Sequence, residues 1–74
     1  MAAVEIESEV DGNVWKVVAE VGTAVQAGDV LIILESMKME IPVEAPVAGR
    51  LAELLVGEGD AVAEEQVVAV IEAP

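Results

Sequence analysis

The sequence predicts an all-β fold, a flattened antiparallel β-barrel or sandwich of two half-units related by a pseudo-two-fold axis. Three observations predict it. The chain is one pattern written twice. Its first copy reads as short, β-branched strands with apolar and polar residues alternating. Glycines break both copies at corresponding places.

The duplication appears when residues 4–36 are laid over residues 41–73, an offset of 37 residues that carries Gly12 onto Gly49. Gly22 then falls on Gly59, Val25 on Val62, Val30 on Val67 and Glu35 on Glu72. Apolar positions follow without a gap: Val14 with Leu51, Val17 with Leu54, Ile33 with Val70, Leu34 with Ile71. The 74 residues are therefore one domain, 1–74, made of two related halves.

Val4–Glu7 alternates as a half-buried strand does. "DG" at Asp11–Gly12 is a strong signal for a two-residue hairpin turn, since both residue types accept positive φ. Val14–Ala19 and Val30–Leu34 are β-branched and read as strands. Gly22, Gly28, Gly57 and Gly59 mark connections. Pro42 lacks an amide donor, so its strand is expected at a sheet edge or to start there. In the second half, "RLAELLV" and "AVAEEQVVAVIEA" contain the helix-favouring residues Ala, Leu and Glu and are locally ambiguous. Alignment with the cleaner first half assigns them to strands.

Composition narrows the function. With no cysteine or histidine there is no disulfide and no thiolate or imidazole for a zinc site. Ser36 and Thr23 are hydroxyls without a histidine base, so nucleophilic catalysis is not expected and the chain reads as a non-catalytic protein. A net charge of −12 opposes phosphate backbones and anionic lipid, so neither nucleic acid nor a membrane is an expected partner. The apolar run Val30–Leu34 is far short of a membrane span, and the acidic start "MAAVEIESEV" is unlike a secretory signal. A cytoplasmic monomer is the expectation. Acidity itself suits solubility, or salt-sensitive steering toward basic rims on protein partners.

One segment escapes the duplication. Between the copies stands "MKME", and Lys38 lies where a strand ending near Glu35 must turn back into one starting near Glu40. A hairpin tip would expose Met37 and Met39, flexible thioethers that adapt to many partner shapes. Structural alternatives are that Lys38 merely screens Glu35 and Glu40, or that the methionines fold back into the core. Trp15, the single aromatic residue, reads as a half-buried strand residue or a docking contact. Neither Trp15 nor Arg50 is required by the repeat, where Ala52 and Asn13 take their places.

The stretch "ESMKMEIPVEAPVAG" resembles the attachment segment of biotinyl domains, the biotin carboxyl carrier modules of biotin-dependent carboxylases, and small stand-alone biotin/lipoyl attachment proteins. "DGNVWKVVAEVGTAVQAGDVLIILE" looks like the first half-motif of that family and "AGRLAELLVGEGDAVAEEQVVAVIE" like its second, so nearly the whole chain is covered. The resemblance implies covalent biotin on Lys38, with Met37 and Met39 recognised by the ligase or by partners. It also implies the partners: a biotin–protein ligase, a biotin carboxylase and a carboxyltransferase. An acyl-CoA acceptor, as in fatty acid biosynthesis, is the expected use.

Lipoyl domains share the doubled pattern but usually carry an acidic residue before the lysine and a small or apolar one after it. Met37 and Met39 therefore favour biotin. There is no room between Val18 and Val30 for the protruding thumb of some larger biotinyl domains, and no Ala/Pro-rich linker precedes the first strand. The chain resembles a free-standing carrier or an excised terminal domain. The alternatives are a lipoyl carrier of a 2-oxo acid dehydrogenase system and an acidic β interaction domain whose Lys38 is never modified. Lys16, mid-strand beside Trp15, is the rival acceptor and the weaker one.

Overall fold

The computed structural model describes residues 2–74, all of them strand or connection, with no helix. Eight strands follow in order: β1 Ala2–Glu7, β2 Gly12–Val17, β3 Ala24–Val25, β4 Val30–Ser36, β5 Met39–Glu44, β6 Gly49–Leu54, β7 Ala61–Val62 and β8 Val67–Ala73. They form two four-stranded antiparallel sheets, β1-β8-β6-β3 and β5-β4-β2-β7. Each of β5–β8 begins 37 residues after its counterpart among β1–β4. The same shift carries the first sheet onto the second, strand for strand.

Each sheet takes two strands from each half. Neither half can therefore close a sheet or bury its apolar side chains alone. The core between the sheets is aliphatic, with Leu31, Leu34, Leu51, Val68 and Ile71 at zero exposure. Its counterparts obey the repeat: Leu31 and Val68, Leu34 and Ile71, Val14 and Leu51 are all buried. The ambiguous Ala/Leu/Glu-rich segments are β6, β7 and β8, as the repeat assigned them. Pro42 lies in β5, which pairs only with β4 and so forms a sheet edge.

The Asp11–Gly12 hairpin is not formed. β1 pairs with β8, whereas β2 pairs with β4 and β7, so no turn joins β1 to β2 within a sheet. Neither Asp11 nor Gly12 has positive φ. Gly12 is needed for closeness instead. A Cβ there would sit 2.6 Å from the carbonyl oxygen of Glu35, and one at Gly49 would sit 2.5 Å from that of Glu72. At these two symmetric points one backbone presses on another, and only glycine fits.

Two further symmetric connections are tight turns. Asp29 N–H donates to the Gln26 carbonyl at 3.0 Å, and Asp29 Oδ2 accepts from Gln26 N–H at 2.9 Å. In the second half Gln66 takes Asp29's place, its N–H donating to the Ala63 carbonyl at 3.0 Å and its Oε1 accepting from Ala63 N–H at 3.0 Å. The third turn residue is Gly28 (φ 95°) in one copy and Glu65 (φ 71°) in the other. A left-handed glutamate carries a Cβ penalty that glycine does not.

Glu65→Gly is therefore expected to stabilise the fold by about 1 kcal/mol, seen as a rise of roughly 4–8 °C in the thermal midpoint. Gly49→Ala is expected to act oppositely, because a backbone carbonyl cannot move aside as a side-chain end can. A loss of about 1–3 kcal/mol should appear in urea denaturation, and an unchanged midpoint would show that the β6–β8 crossing is looser than its geometry requires.

Candidate functional site

The strands β4 and β5 are the one pair joined directly by a hairpin among the described residues, and Lys38 is in its turn. Ser36 pairs with Met39, leaving Met37 and Lys38 as a two-residue loop. Both have left-handed backbones, φ 53° for Met37 and 66° for Lys38. Two successive positive φ values are what a type I′ hairpin turn requires, and they match the right-handed twist of the strands. Asn-Gly ordinarily supplies them. Here two long side chains do so, at a backbone cost of roughly 1–2 kcal/mol each.

The base of the hairpin is held firmly. Asn13 of β2 pairs with Glu35, and the backbone of Gly12 presses on the Glu35 carbonyl. Ser36 Oγ donates to the Asp11 carbonyl at 2.8 Å, and Asp11 Oδ1 accepts from Glu64 N–H at 2.7 Å. The segment between β1 and β2 is thus tied to the hairpin on one side and to the segment between β7 and β8 on the other. Only the two turn residues extend past this tether. Sequence reasoning singled out Lys38, but not the Ser36–Asp11 clasp or the role of Gly12. The available signal was the match of Gly12 with Gly49.

At the tip Met37 is 92% exposed and Met39 64%, so neither methionine folds back into the core. Lys38 is exposed, and among the described residues the ion pair is Arg50–Glu72 at 3.8 Å, with Lys38 in none. Glu35 and Glu40 face each other directly across the two strands just behind the turn. Like charges so placed are unfavourable by some tenths of a kcal/mol, and the lysine does not neutralise them by contact. Lys16 is also exposed, but it lies within β2, beside the bulge at Trp15. Trp15 is 49% exposed.

Lys38 is not in a pocket. A hollow of about 500 Å³ lies between the edge strands β1 and β5, flanked by Glu5, Glu7 and Glu44, and no turn residue lines it. The arrangement presents a primary amine at the end of a rigid hairpin, with two flexible apolar side chains beside it. It can be reached by another protein's active site, and it has no acid–base partner of its own. A doubled β-sandwich that holds an exposed lysine at its one hairpin among the described residues has the architecture of a domain that carries a group on that side chain.

The comparisons agree. The family model described as "Biotin-requiring enzyme" (biotin/lipoyl) matches residues 2–71. The chain is 44% identical over 69 residues to the biotinylated protein TB7.3 homolog of Mycobacterium leprae, covering 93% of this chain and 97% of that one. It superposes on the urea carboxylase of Kluyveromyces lactis with a TM-score of 0.92 at 43% identity, covering 97% of this chain and 6% of that one. On a single-chain, multi-domain long-chain acyl-CoA carboxylase the TM-score is 0.85 at 29% identity, covering 96% of this chain and 7% of that one. The chain belongs to the biotin/lipoyl attachment family. It spans nearly the whole of the small mycobacterial protein and only a small part of the large carboxylases.

The strain in the turn has a measurable consequence. Replacing Met37 by Asn and Lys38 by Gly, the residues a type I′ turn prefers, should stabilise the fold by about 1–2 kcal/mol. The gain should appear as a higher urea midpoint with unchanged slope. A lower midpoint would mean that the two side chains support the hairpin.

Proposed function

We propose that the protein is a biotin carboxyl carrier. Biotin is joined through an amide to Lys38 Nζ by a biotin–protein ligase, charged by a biotin carboxylase, and visited by a carboxyltransferase that acts on an acyl-CoA. The observation that carries the proposal is the exposed amine of Lys38 on a clasped two-residue turn between Met37 and Met39. A biotinylated relative of nearly equal length supports the cofactor, and the likeness to a long-chain acyl-CoA carboxylase supports the acceptor class.

The residues fit the group. An acyl donor must approach Nζ along an open line, and the turn leaves that line clear of acidic contacts. Attachment forms an amide between Nζ and the carboxyl carbon of an activated biotin (an acyl adenylate), breaking the acyl–phosphate bond and releasing AMP, once the ligase has removed a proton from the ammonium. The chain's charge then changes from −12 to −13. When bound, biotin supplies a ureido nitrogen that accepts and releases a carboxyl group, chemistry that no side chain of this protein offers. The protein's part is position. The clasp at Ser36 and the pressed backbone at Gly12 confine the arm's root, so only the lysine and biotin torsions remain to be searched at each partner. Tethering raises the local concentration of the group, and docking can stay weak and reversible.

Co-expression with a biotin–protein ligase should yield one biotin per chain by intact mass. Lys38→Arg should abolish it and Lys16→Arg should not. A lipoyl adduct in place of biotin, after exposure to both ligases, would transfer the protein to the lipoyl carriers. No adduct from either would leave an unmodified interaction domain. Met37→Asp with Met39→Ala should slow biotinylation at a thermal midpoint shifted by no more than about 0.5 kcal/mol in stability, because exposed side chains contribute little.

A further inference from the structure

The duplication provides an internal control for the protein's surface. A residue required by the framework recurs at the equivalent place in the other sheet, and a residue that differs sharply is there for another reason. On the outer face of the sheet that carries the hairpin, Lys16, Ile33 and Pro42 stand side by side across β2, β4 and β5. Trp15 sits next to Lys16 at a β-bulge that leaves both side chains exposed. The equivalent row on the other sheet is Glu53, Val70 and Glu5, with Ala52 at its own bulge. One face has a tryptophan, a proline and a cation where the other has an alanine and two glutamates.

The backbone does not demand this difference, since bulge and register are the same in both sheets. Exposed tryptophan is an unusual use of a surface position, and tryptophan is the residue most enriched at binding hot spots. In a chain of net charge −12, this row carries one of three basic residues, and the acids of the same face flank it, Glu35 and Glu40 toward the tip and Glu44 on the other side. Pro42 and Ile33 lie four and five residues from Lys38, about 13–17 Å along strands that rise about 3.3 Å per residue. An interface of ordinary size, about 800 Å² per partner, has a radius of roughly 16 Å. A partner holding the domain by this face therefore keeps the tip at the edge of the same contact.

We infer that the Trp15–Lys16–Ile33–Pro42 face is the surface by which the biotin carboxylase holds the carrier. The inference rests on the carrier reading of Lys38. An enzyme acting on Nζ itself has only the lysine's four methylenes to span and must close on the turn. An enzyme acting at the far end of the lysine–biotin arm can grip the body behind it, and a face set back from the tip serves the second kind. Among such enzymes the carboxyltransferase must differ with the acceptor. The carboxylase step is the part common to acceptors as unlike as urea and an acyl-CoA. The complementary surface on the carboxylase is apolar, with a carboxylate opposite Lys16.

The other sheet supplies the test variant. Trp15→Ala, Lys16→Glu and Pro42→Glu together place on this face the side chains that the same framework already carries on its counterpart, which guards the fold; a thermal midpoint confirms it. The triple variant, biotinylated on Lys38, should be charged by the biotin carboxylase with KM raised about tenfold or more and kcat at saturation unchanged. Its rate of biotinylation should equal that of the wild type. A second readout needs no biotin: titrating unlabelled biotin carboxylase into the ¹⁵N-labelled Lys38→Arg chain should shift the one indole N–H signal, that of Trp15.

An unshifted indole signal, or a KM equal to the wild type's, overturns the inference. A slowed biotinylation would assign the face to the ligase, and a slowed transfer with normal charging would assign it to the carboxyltransferase. Either would overturn it as well. A wild-type chain that takes no biotin overturns the carrier reading together with this one. A wild type that is charged normally while the swap changes nothing overturns this one alone.

Discussion

Two contacts between backbones hold the molecule in register. At Gly12 and at Gly49 a strand presses directly on the carbonyl of Glu35 or Glu72, with no side chain between. Each contact joins strands that are central to a sheet and that lead to its end: β2 against β4 in one sheet, β6 against β8 in the other. Each contact lies within one half, and the halves interlock through the pairs β1–β8, β3–β6, β4–β5 and β2–β7. The aliphatic core supplies the driving force, but it is non-directional and would accept many arrangements of valine and leucine. The two glycines and the bulges three residues on, at Trp15 and Ala52, admit a single register.

The hairpin tip inherits that register. β4 runs past Gly12 for one residue, to Ser36, before the chain turns, and Ser36 is itself clasped to Asp11. Lys38 thus stands two residues from the fixed frame. The symmetric place in the other sheet is occupied by Ala2 paired with Ala73, the equivalents of Met39 and Ser36. One duplicated framework therefore places the hairpin in one sheet at the position of the Ala2–Ala73 pair in the other.

Much of this was legible in the sequence, and the part that was not failed for a definite reason. The offset of Gly12 from Gly49 assigned type to the ambiguous second half, because counterpart positions share one environment, whereas the two-residue strand β3 is too short to show a pattern of its own. Turn chemistry misled. Asp11–Gly12 carries the residues of a type I′ turn yet forms none, since Gly12 is selected for contact with Glu35 and not for positive φ. Met37–Lys38 forms the turn without either favoured residue. A local signal reports what a residue can do, whereas tertiary contact decides which of its abilities is used. Lys38 became visible only through the joint between the repeats, and the Ser36–Asp11 clasp is a contact 25 positions apart in sequence that no local pattern records.

The exchange of turn residues is also informative about what the tip must do. Asn-Gly at these positions would make a more stable hairpin and would present no amine. A lysine could instead be placed at a relaxed strand position, as Lys16 is, where its side chain leaves an extended backbone flanked by neighbouring strands. At the second position of a type I′ turn the side chain leaves from the end of the sheet, with no strand beside it. The thioethers at Met37 and Met39 add contact area without fixed shape, which suits the carrier role proposed for Lys38. Strain of a few kcal/mol is tolerable only because the base is over-determined by Gly12, Asn13 and the Ser36 clasp. The rigidity of the frame and the exposure of the amine are two results of one arrangement: a two-residue loop, which strains any long side chain placed in it, is also too short to fold back.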